Sequence, residues 1–101
     1  MGIFDFLTRP SLDYDTLKAQ KAVVVDVRSA AEFNSGHVSG SKNIPLDQVS
    51  KRADEIMKWG KPVIFCCASG NRSGQATSFF KSKGLDCYNG GSWIDVQSGW
   101  S

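Results

Sequence analysis

Two uninterrupted apolar segments constrain the fold of this chain more than any other feature. The first, residues 22–27, is a run of alanine and valines broken only by Asp26, and the second covers residues 63–66. A strand with one exposed face alternates apolar and polar residues, whereas a continuous apolar run is typical of a parallel strand buried on both faces. Helical patterns lie around both runs. The sequence therefore predicts an α/β fold with a mainly parallel central sheet flanked by helices on both faces.

The rest of the chain supplies the helices and turns that such a sheet needs. A length of 101 residues predicts one domain, with residues 1–10 as an N-terminal arm and residues 11–101 as the domain itself. The predicted elements are a helix over 12–20 with Ser11 as its N-cap, the strand 22–27, a helix from Ser29 to Phe33, an extended piece at 43–44, a helix over 46–59, the strand 63–66, a helix over 72–83, a strand over 85–88, a turn at 89–91 and a final helix capped by Ser92.

Composition argues against several classes of function. The net charge is only +2, and the basic residues form no patch with interleaved aromatic residues, which argues against nucleic-acid binding. No apolar stretch approaches the roughly 20 residues of a membrane-spanning helix, and the N-terminus lacks the features of a secretory signal. The three cysteines do not make a disulfide framework. We therefore expect a cytoplasmic protein that binds neither nucleic acid nor membrane.

Cys67 lies where the second apolar run meets the start of a predicted helix. The small residues that follow it, from Ala68 to Asn71, allow the loop to curl so that successive backbone N–H groups converge on one point. Gly70 permits a backbone conformation that other residues resist. The converging amides and the positive end of the helix dipole favour an anion, and both lower the pKa of a thiol placed there. The sequence therefore predicts that Cys67 is a nucleophilic thiolate.

This loop resembles that of the single-domain rhodanese family of sulfurtransferases. The segment from Cys67 to Ser73 is similar to the family's Cys-Arg-Ser-Gly-x-Arg-Ser loop, and further similar segments occur in the family's order over roughly residues 11 to 100. These segments are Val25-Asp26-Val27-Arg28, Glu32-Phe33, residues 36–45, and Tyr88-Asn89-Gly90-Gly91 followed by Trp93. The resemblance implies a rhodanese-like fold.

The resemblance also implies a mechanism and a set of site residues. Cys67 would take a sulfane sulfur from a donor such as thiosulfate, hold it as a persulfide, and pass it to cyanide or a thiol. Arg72 would brace the loop or attract anionic donors. The backbone of the loop would hold the outer sulfur, through Ala68, Ser69, Gly70, Asn71 and Ser73. No metal or organic cofactor is needed, and a protein could serve as sulfur donor or acceptor.

Two departures from the family pattern bear on this expectation. Ala68 stands where the family often has arginine, so one positive charge is missing, and we expect weak use of thiosulfate. Cys66 precedes the expected nucleophile, and counted from Cys66 the loop has the Cys-x5-Arg spacing of cysteine phosphatases and some arsenate reductases. Gly70 lies three residues after Cys67, as in the rhodanese pattern, which favours Cys67. A phosphatase or reductase nevertheless remains an alternative, as does a non-catalytic sulfur carrier or binding module.

The remaining polar and ionisable candidates have structural interpretations beside the functional ones. Asp26 ends an apolar strand and needs a partner if it is buried, and Arg28 points to the same face, so a salt bridge that supports the loop is expected. His37, the single histidine, is interpreted as stabilising a turn. Cys66 and Cys87 are expected to pack in the core. The cysteines and His37 lack the paired spacing of a zinc site.

Overall fold

The structure, a computed structural model, describes residues 12–100. The predicted arm over residues 1–10 and the predicted N-cap Ser11 lie outside this range. In chain order the elements are α1 (Tyr14–Ala19), β1 (Val23–Asp26), α2 (Ala30–Ser35), β2 (Lys42–Asn43), α3 (Leu46–Val49), a 3₁₀ turn (Ser50–Arg52), α4 (Ala53–Lys58), β3 (Val63–Cys67), α5 (Asn71–Ser82), β4 (Cys87–Ser92) and α6 (Trp93–Trp100).

The strands form one sheet in the order β2-β1-β3-β4, and every neighbouring pair is parallel. The two apolar runs supply the central strands β1 and β3, and all five residues of β3 are buried. Central strands of a parallel sheet have no solvent-facing side, which explains why neither run alternates with polar residues. The predicted α/β fold with a parallel central sheet is confirmed.

Helices cover both faces of the sheet. Successive side chains of a strand point to opposite faces, and the buried residues accordingly form two clusters. On one face Phe65 and Cys67 of β3 pack with α3, α4 and α5, for example with Ile56 and Phe80. On the other face Ile64 and Cys66 of β3 pack with α1 and α6 through Leu17 and Val96. The predicted arrangement of helices on both faces is therefore also confirmed.

The predicted turn at residues 89–91 is wrong, because these residues continue strand β4. The pairing register with β3 shifts at this point: Phe65 pairs with Asn89, whereas the next residue, Cys66, pairs with Gly91. One residue of β4 is therefore extra, which defines a bulge. Asparagine and adjacent glycines are typical of turns, but here they accommodate the irregular strand.

Gly90 is the extra residue of this bulge, and it needs to be a glycine for a packing reason. A Cβ atom at Gly90 would lie 2.6 Å from Cγ2 of Val96 and 2.9 Å from Cγ2 of Ile64. Such distances are shorter than real Cβ contacts. The missing side chain lets α6 pack closely against the sheet where the bulge changes the direction of β4.

Two predicted helices differ from the observed ones at identifiable points. The first helix begins at Tyr14 because Asp13 is its N-cap, whose Oδ1 accepts a hydrogen bond of 3.1 Å from the Thr16 amide. The single helix predicted over 46–59 is divided by the 3₁₀ turn Ser50–Arg52. The 3₁₀ turn interrupts the α-helical hydrogen-bond pattern between the two short helices, and apolar residues of both helices are buried.

Candidate active site around Cys67

Cys67 is the last residue of β3, and the chain turns directly after it into α5. Residues 68–70 form the turn, and the helix begins at Asn71. Gly70 caps the helix with a φ of 102°, the left-handed conformation that glycine adopts without a steric penalty. The loop therefore places the Cys67 thiol under the N-terminal end of a twelve-residue helix.

Three hydrogen-bonding groups meet the sulfur of Cys67. The Gly70 amide nitrogen lies 3.0 Å from Sγ, and the Ser73 amide nitrogen lies 3.4 Å from it. The hydroxyl oxygen of Ser73 lies 3.3 Å from the same sulfur. Cys67 is only 1% exposed. The loop thus surrounds the thiol with polar hydrogen-bonding groups.

These contacts outweigh the effect of burial on the thiol. Burial raises the pKa of Cys67, but hydrogen bonds from the Ser73 hydroxyl, from the Ser73 and Gly70 amides and, to a smaller extent, from the Ser69 amide lower it. The net result is a pKa of Cys67 below the ordinary value for cysteine. Hydrogen bonds to a thiolate stabilise the charged form, which is the nucleophilic form.

Asn89 of β4 holds the loop from the side. Its Oδ1 accepts hydrogen bonds from the Ser73 hydroxyl at 2.7 Å and from the Gly91 amide at 3.0 Å, and its Nδ2 donates to the Gly70 carbonyl at 3.2 Å. The Ser73 hydroxyl has one proton, which it can donate either to Asn89 Oδ1 or to a Cys67 thiolate. Asn89 therefore contacts the same two loop residues, Gly70 and Ser73, that contact the sulfur. Sequence reasoning assigned Asn89 to a turn and missed this role, because the bulge that orients it depends on pairing with β3.

Arg72 extends from the first turn of α5 to a carboxylate on α2. Its Nη1 lies 2.8 Å from Oε1 of Glu32 and its Nη2 lies 3.0 Å from Oε2, a bidentate ion pair. Glu32 also accepts hydrogen bonds from the Ser29 amide at 3.0 Å and from the Ser29 hydroxyl, within the capping box of α2. This role of Glu32 was not predicted. The Ser-x-x-Glu pattern of residues 29–32 signals a capping box, but it does not reveal a partner forty residues away.

The predicted ion pair between Asp26 and Arg28 is present and buried. Arg28 Nη2 lies 2.6 Å from Asp26 Oδ2, and the side chains are 5% and 0% exposed respectively. The guanidinium also donates to the carbonyls of Gly36 at 2.6 Å and Glu32 at 3.3 Å. Because Glu32 in turn binds Arg72, the buried pair is connected to the Cys67 loop through α2 and not by direct contact.

Cys66 and Cys87, in contrast, lie in apolar surroundings. Cys66 is fully buried in the cluster beneath α1 and α6. Burial raises the pKa of its thiol to about 12, with a further contribution from Asp26. Burial also raises the pKa of Cys87, whose Sγ lies 3.6 Å from the Thr77 carbonyl. The prediction that these two cysteines pack in the core is confirmed.

The other predicted candidates lie at the surface. Ala68, Ser69 and Asn71 are exposed on the loop. Ser69 and Asn71 line a groove of about 850 Å³, which runs beside the loop toward β4 and α6; Cys67 does not line it. His37 stacks on Phe33 with ring centroids 3.7 Å apart and places Nδ1 2.7 Å from the Phe33 carbonyl, as expected for a residue that stabilises a turn.

Within residues 12–100, no three His, Cys, Asp or Glu side chains are grouped in a way that could hold a metal ion. In the same range, no helix is both long and apolar enough to span a bilayer.

Comparison with known proteins identifies relatives of this chain. The sequence model of the rhodanese-like domain matches residues 13–93. The uncharacterized protein YqhL of Bacillus subtilis is 41% identical over 71 residues, which are 69% of this chain and 56% of that protein. The thiosulfate sulfurtransferase GlpE of Pseudomonas fluorescens Pf0-1 is 37% identical over 87 residues, which are 84% of this chain and 78% of that enzyme.

Two further comparisons concern a carrier and a solved structure. The putative sulfur carrier protein YrkF of Bacillus subtilis is 36% identical over 61% of this chain, but the match covers only 33% of YrkF. The chain thus spans about half of YqhL and a third of YrkF. A rhodanese-related protein of Thermoplasma volcanium has a similar structure, with a TM-score of 0.69 and 28% identity over 90% of this chain and 94% of that one.

Proposed function

This chain belongs to the rhodanese-like domain family, and we propose that it is a sulfurtransferase that transfers a sulfane sulfur through a persulfide on Cys67. The observation that carries this proposal is the convergence of the Gly70 amide, the Ser73 amide and the Ser73 hydroxyl on one sulfur atom, at 3.0 to 3.4 Å. These contacts stabilise the thiolate, which is the nucleophilic form of cysteine. We further propose that the domain covers residues 11–101.

In the first step the Cys67 thiolate attacks the outer sulfur of the donor. With thiosulfate, the new S–S bond forms as the bond between the outer and the central sulfur breaks, and sulfite leaves with that electron pair. The charges balance, because a thiolate and a dianion become a persulfide anion and a sulfite dianion. The amides of the loop, including those of residues 68, 69 and 71, are proposed to hold the outer sulfur of this persulfide.

In the second step a thiophilic acceptor removes the sulfur. Cyanide attacks the outer sulfur, the S–S bond breaks toward Cys67, and thiocyanate leaves while the thiolate is restored. A thiol acceptor instead leaves as a persulfide. The hydrogen bonds of Gly70 and Ser73 stabilise the departing thiolate, so the same contacts assist both steps. No metal or organic cofactor takes part in this scheme.

Arg72 and the buried pair have different proposed parts in this scheme. Arg72 joins the loop to α2 through its ion pair with Glu32, so we propose it as a residue of the catalytic loop. The pair of Asp26 and Arg28 holds α2 and Gly36 in place, which makes these residues supporting ones. We propose that the Arg72–Glu32 pair and the Asp26–Arg28 pair both keep the loop rigid. The reaction needs this rigidity because it depends on aligned hydrogen bonds.

A phosphatase or arsenate reductase is the alternative enzyme. Such an enzyme would need Cys66 as its nucleophile to obtain the longer Cys-x5-Arg loop. Cys66 lies on the opposite face of the sheet from Cys67, and burial raises the pKa of its thiol to about 12. A protonated, buried thiol is a poor nucleophile. These observations favour sulfur transfer through Cys67.

A non-catalytic sulfur carrier or binding module is the alternative outside enzymes. The similarity to YrkF, a putative sulfur carrier, supports it, whereas the similarity to GlpE, a thiosulfate sulfurtransferase, supports an enzyme. A protein partner is compatible with either proposal, as sulfur donor or acceptor. We propose a cytoplasmic location for both, because a reducing compartment keeps the three cysteines as free thiols, the form that Cys67 needs before it accepts sulfur.

Intact-mass spectrometry tests the proposal. After exposure to a sulfane-sulfur donor, the wild-type chain and Cys66→Ala should gain the mass of one sulfur atom, whereas Cys67→Ser should gain none. Added cyanide should remove the sulfur and produce thiocyanate over many turnovers. A stoichiometric adduct that no cyanide or thiol removes would indicate a carrier. Hydrolysis of para-nitrophenyl phosphate without any sulfur adduct would indicate a phosphatase.

A further inference from the structure

Glu32 neutralises the positive charge of the Cys67 loop. Arg72 is the one basic residue in the segment 67–73, and both of its terminal nitrogens are bonded to the Glu32 carboxylate. The two side chains are 36% and 38% exposed, so the pair lies at the surface of the protein. Hydrogen bonds that Arg72 donates to Glu32 raise the pKa of Arg72, and the charge of Cys67 adds to that effect, as expected for a guanidinium near the thiol.

Glu32 is held in this position by more than its partner. Its Oε1 accepts hydrogen bonds from the amide and the hydroxyl of Ser29, which fix the carboxylate at the start of α2. Hydrogen bonds from Arg72 and then from the Ser29 amide lower the pKa of Glu32 to about 2. The carboxylate is therefore ionised at every pH at which the protein would be assayed, and it cannot turn away without breaking the cap.

The charge balance at the loop has a consequence for the sulfur donor. Arg28, the other arginine near α2, is 4% exposed and is paired with Asp26. Ala68 adds no charge of its own. Thiosulfate carries two negative charges, and its attraction to a site depends on unneutralised positive charge there. A persulfide, R–S–SH, carries one negative charge or none at its reacting end.

We propose that Glu32 determines donor specificity by neutralising Arg72, the one basic residue of the loop, so that persulfides are preferred over thiosulfate. This inference rests on the proposed function and names its donor class. In the step itself the Cys67 thiolate attacks the outer sulfur of R–S–SH, and the donor S–S bond breaks with its electron pair on the inner sulfur. The proton of the transferred outer sulfur passes to this leaving thiolate, which departs as R–SH. The products are that thiol and the Cys67 persulfide anion, so atoms and charge balance without an oxidant or reductant.

The substitution Glu32→Gln tests the charge of Glu32 separately from its role in the fold. Glutamine at the third position of a helix also completes a capping box, so α2 keeps its cap while the carboxylate charge is removed. Glu55→Gln is the matched control. Glu55 of α4 forms an exposed bidentate pair with Arg52 of the 3₁₀ turn, at 2.9 and 2.7 Å, and its loss changes the net charge equally. The double variant Glu32→Gln/Arg72→Gln removes the guanidinium that the first substitution releases.

The measurement is kcat/KM for thiosulfate, for glutathione persulfide as a small-molecule source and for persulfidated albumin as a protein source. In the wild type, kcat/KM should be higher for at least one of the two persulfides than for thiosulfate. The persulfide with the higher kcat/KM indicates whether the sulfur source is a small molecule or a protein. Glu32→Gln should lower the ratio of persulfide to thiosulfate kcat/KM by about tenfold. Glu55→Gln should leave this ratio at the wild-type value. The double variant Glu32→Gln/Arg72→Gln should return the ratio to the wild-type value.

These measurements distinguish a failure of the proposed function from a failure of the proposed role of Glu32. If wild-type Cys67 acquires no sulfur from any of the three donors, the proposed function is wrong. If it acquires sulfur but thiosulfate is the best donor, or if Glu32→Gln leaves the ratio unchanged while its melting curve shows an intact fold, only the role of Glu32 is wrong.

Discussion

The side chains of Cys66 and Cys67 project from opposite faces of the central sheet, although the residues are neighbours in the chain. Cys66 packs beneath α1 and α6, and Cys67 packs beneath α5. Strand geometry alone produces this separation, because successive side chains of a strand alternate between faces. The loop then distinguishes the two thiols chemically, since its amides contact the sulfur of Cys67.

We predict that alkylation is selective between these two cysteines. Burial raises the pKa of Cys66 to about 12, so only about one Cys66 in 10⁵ is a thiolate at pH 7, whereas the pKa of Cys67 is lowered. Iodoacetamide at pH 7 should label Cys67 at least about a hundredfold faster than Cys66. Peptide mapping by mass spectrometry gives both rates. Equal rates would show that the loop does not activate Cys67.

The central strands and the nucleophile could be predicted from the sequence because their signals are local. A continuous apolar run indicates a strand buried on both faces, and small residues after Cys67 indicate a turn into a helix. The ion pair of Asp26 and Arg28 could be predicted for the same reason, because the residues are two apart on one strand end. Each of these inferences needs only a few consecutive residues.

The features that the sequence did not reveal depend on distant contacts. Glu32 and Arg72 are forty residues apart, and Ser73 and Asn89 are sixteen apart, so no local pattern connects them. The strand at residues 89–91 was interpreted as a turn because its composition is that of a turn. Only the pairing with β3 turns the extra glycine there into a bulge.

We predict that the Ser73 hydroxyl contributes to the low pKa of Cys67. Ser73→Ala removes the hydroxyl 3.3 Å from Sγ but keeps the amide bond to the sulfur. The Ser73 hydroxyl can donate its one proton to the thiolate in place of Asn89 Oδ1. Removal of this donor takes away one hydrogen bond that stabilises the thiolate, so the pKa of Cys67 should rise. Because the thiolate predominates only above the pKa, the pH profile of alkylation should move to higher pH. The rate at pH 7 should fall by about tenfold.

Ser78→Ala is the matched control for this measurement, since Ser78 is an exposed residue of the same helix. It should leave the pH profile of alkylation in place. A lower rate in Ser73→Ala at every pH, with no displacement of the profile, would mean that the serine affects access to the thiol and not its ionisation.

The buried pair on β1 should contribute strongly to stability. Asp26→Asn removes the charge that neutralises Arg28, which is 4% exposed and cannot gain water in exchange. Breaking one side of a buried ion pair costs about 3–5 kcal/mol. Urea unfolding should show a lower midpoint with an unchanged slope. The control Asp47→Asn, at an exposed position, should change the free energy of unfolding by less than about 0.5 kcal/mol. Equal effects of the two substitutions would contradict a strong contribution of the buried pair to stability.

The bulge in β4 should tolerate no side chain at Gly90. A Cβ atom there would lie 2.6 Å from Cγ2 of Val96 on α6 and 2.9 Å from Cγ2 of Ile64, so Gly90→Ala must displace the helix or the strand. Overpacking of this kind costs about 1–3 kcal/mol, which urea unfolding would measure.

A double-mutant cycle identifies the cause of that loss. Val96→Ala alone should destabilise the protein by creating a cavity in the cluster beneath α6. In the double variant the shortened side chain removes the closest contact of the new methyl group. Gly90→Ala/Val96→Ala should therefore be less destabilised than the sum of the two single variants. Additive effects would show that the destabilisation arises in the backbone of the bulge and not in the contact with α6.

If the contact with α6 is the cause, displacement of the strand should also move Asn89 away from Ser73. Alkylation of Cys67 should then be slower in Gly90→Ala than in the wild type, and its rate should recover in the double variant.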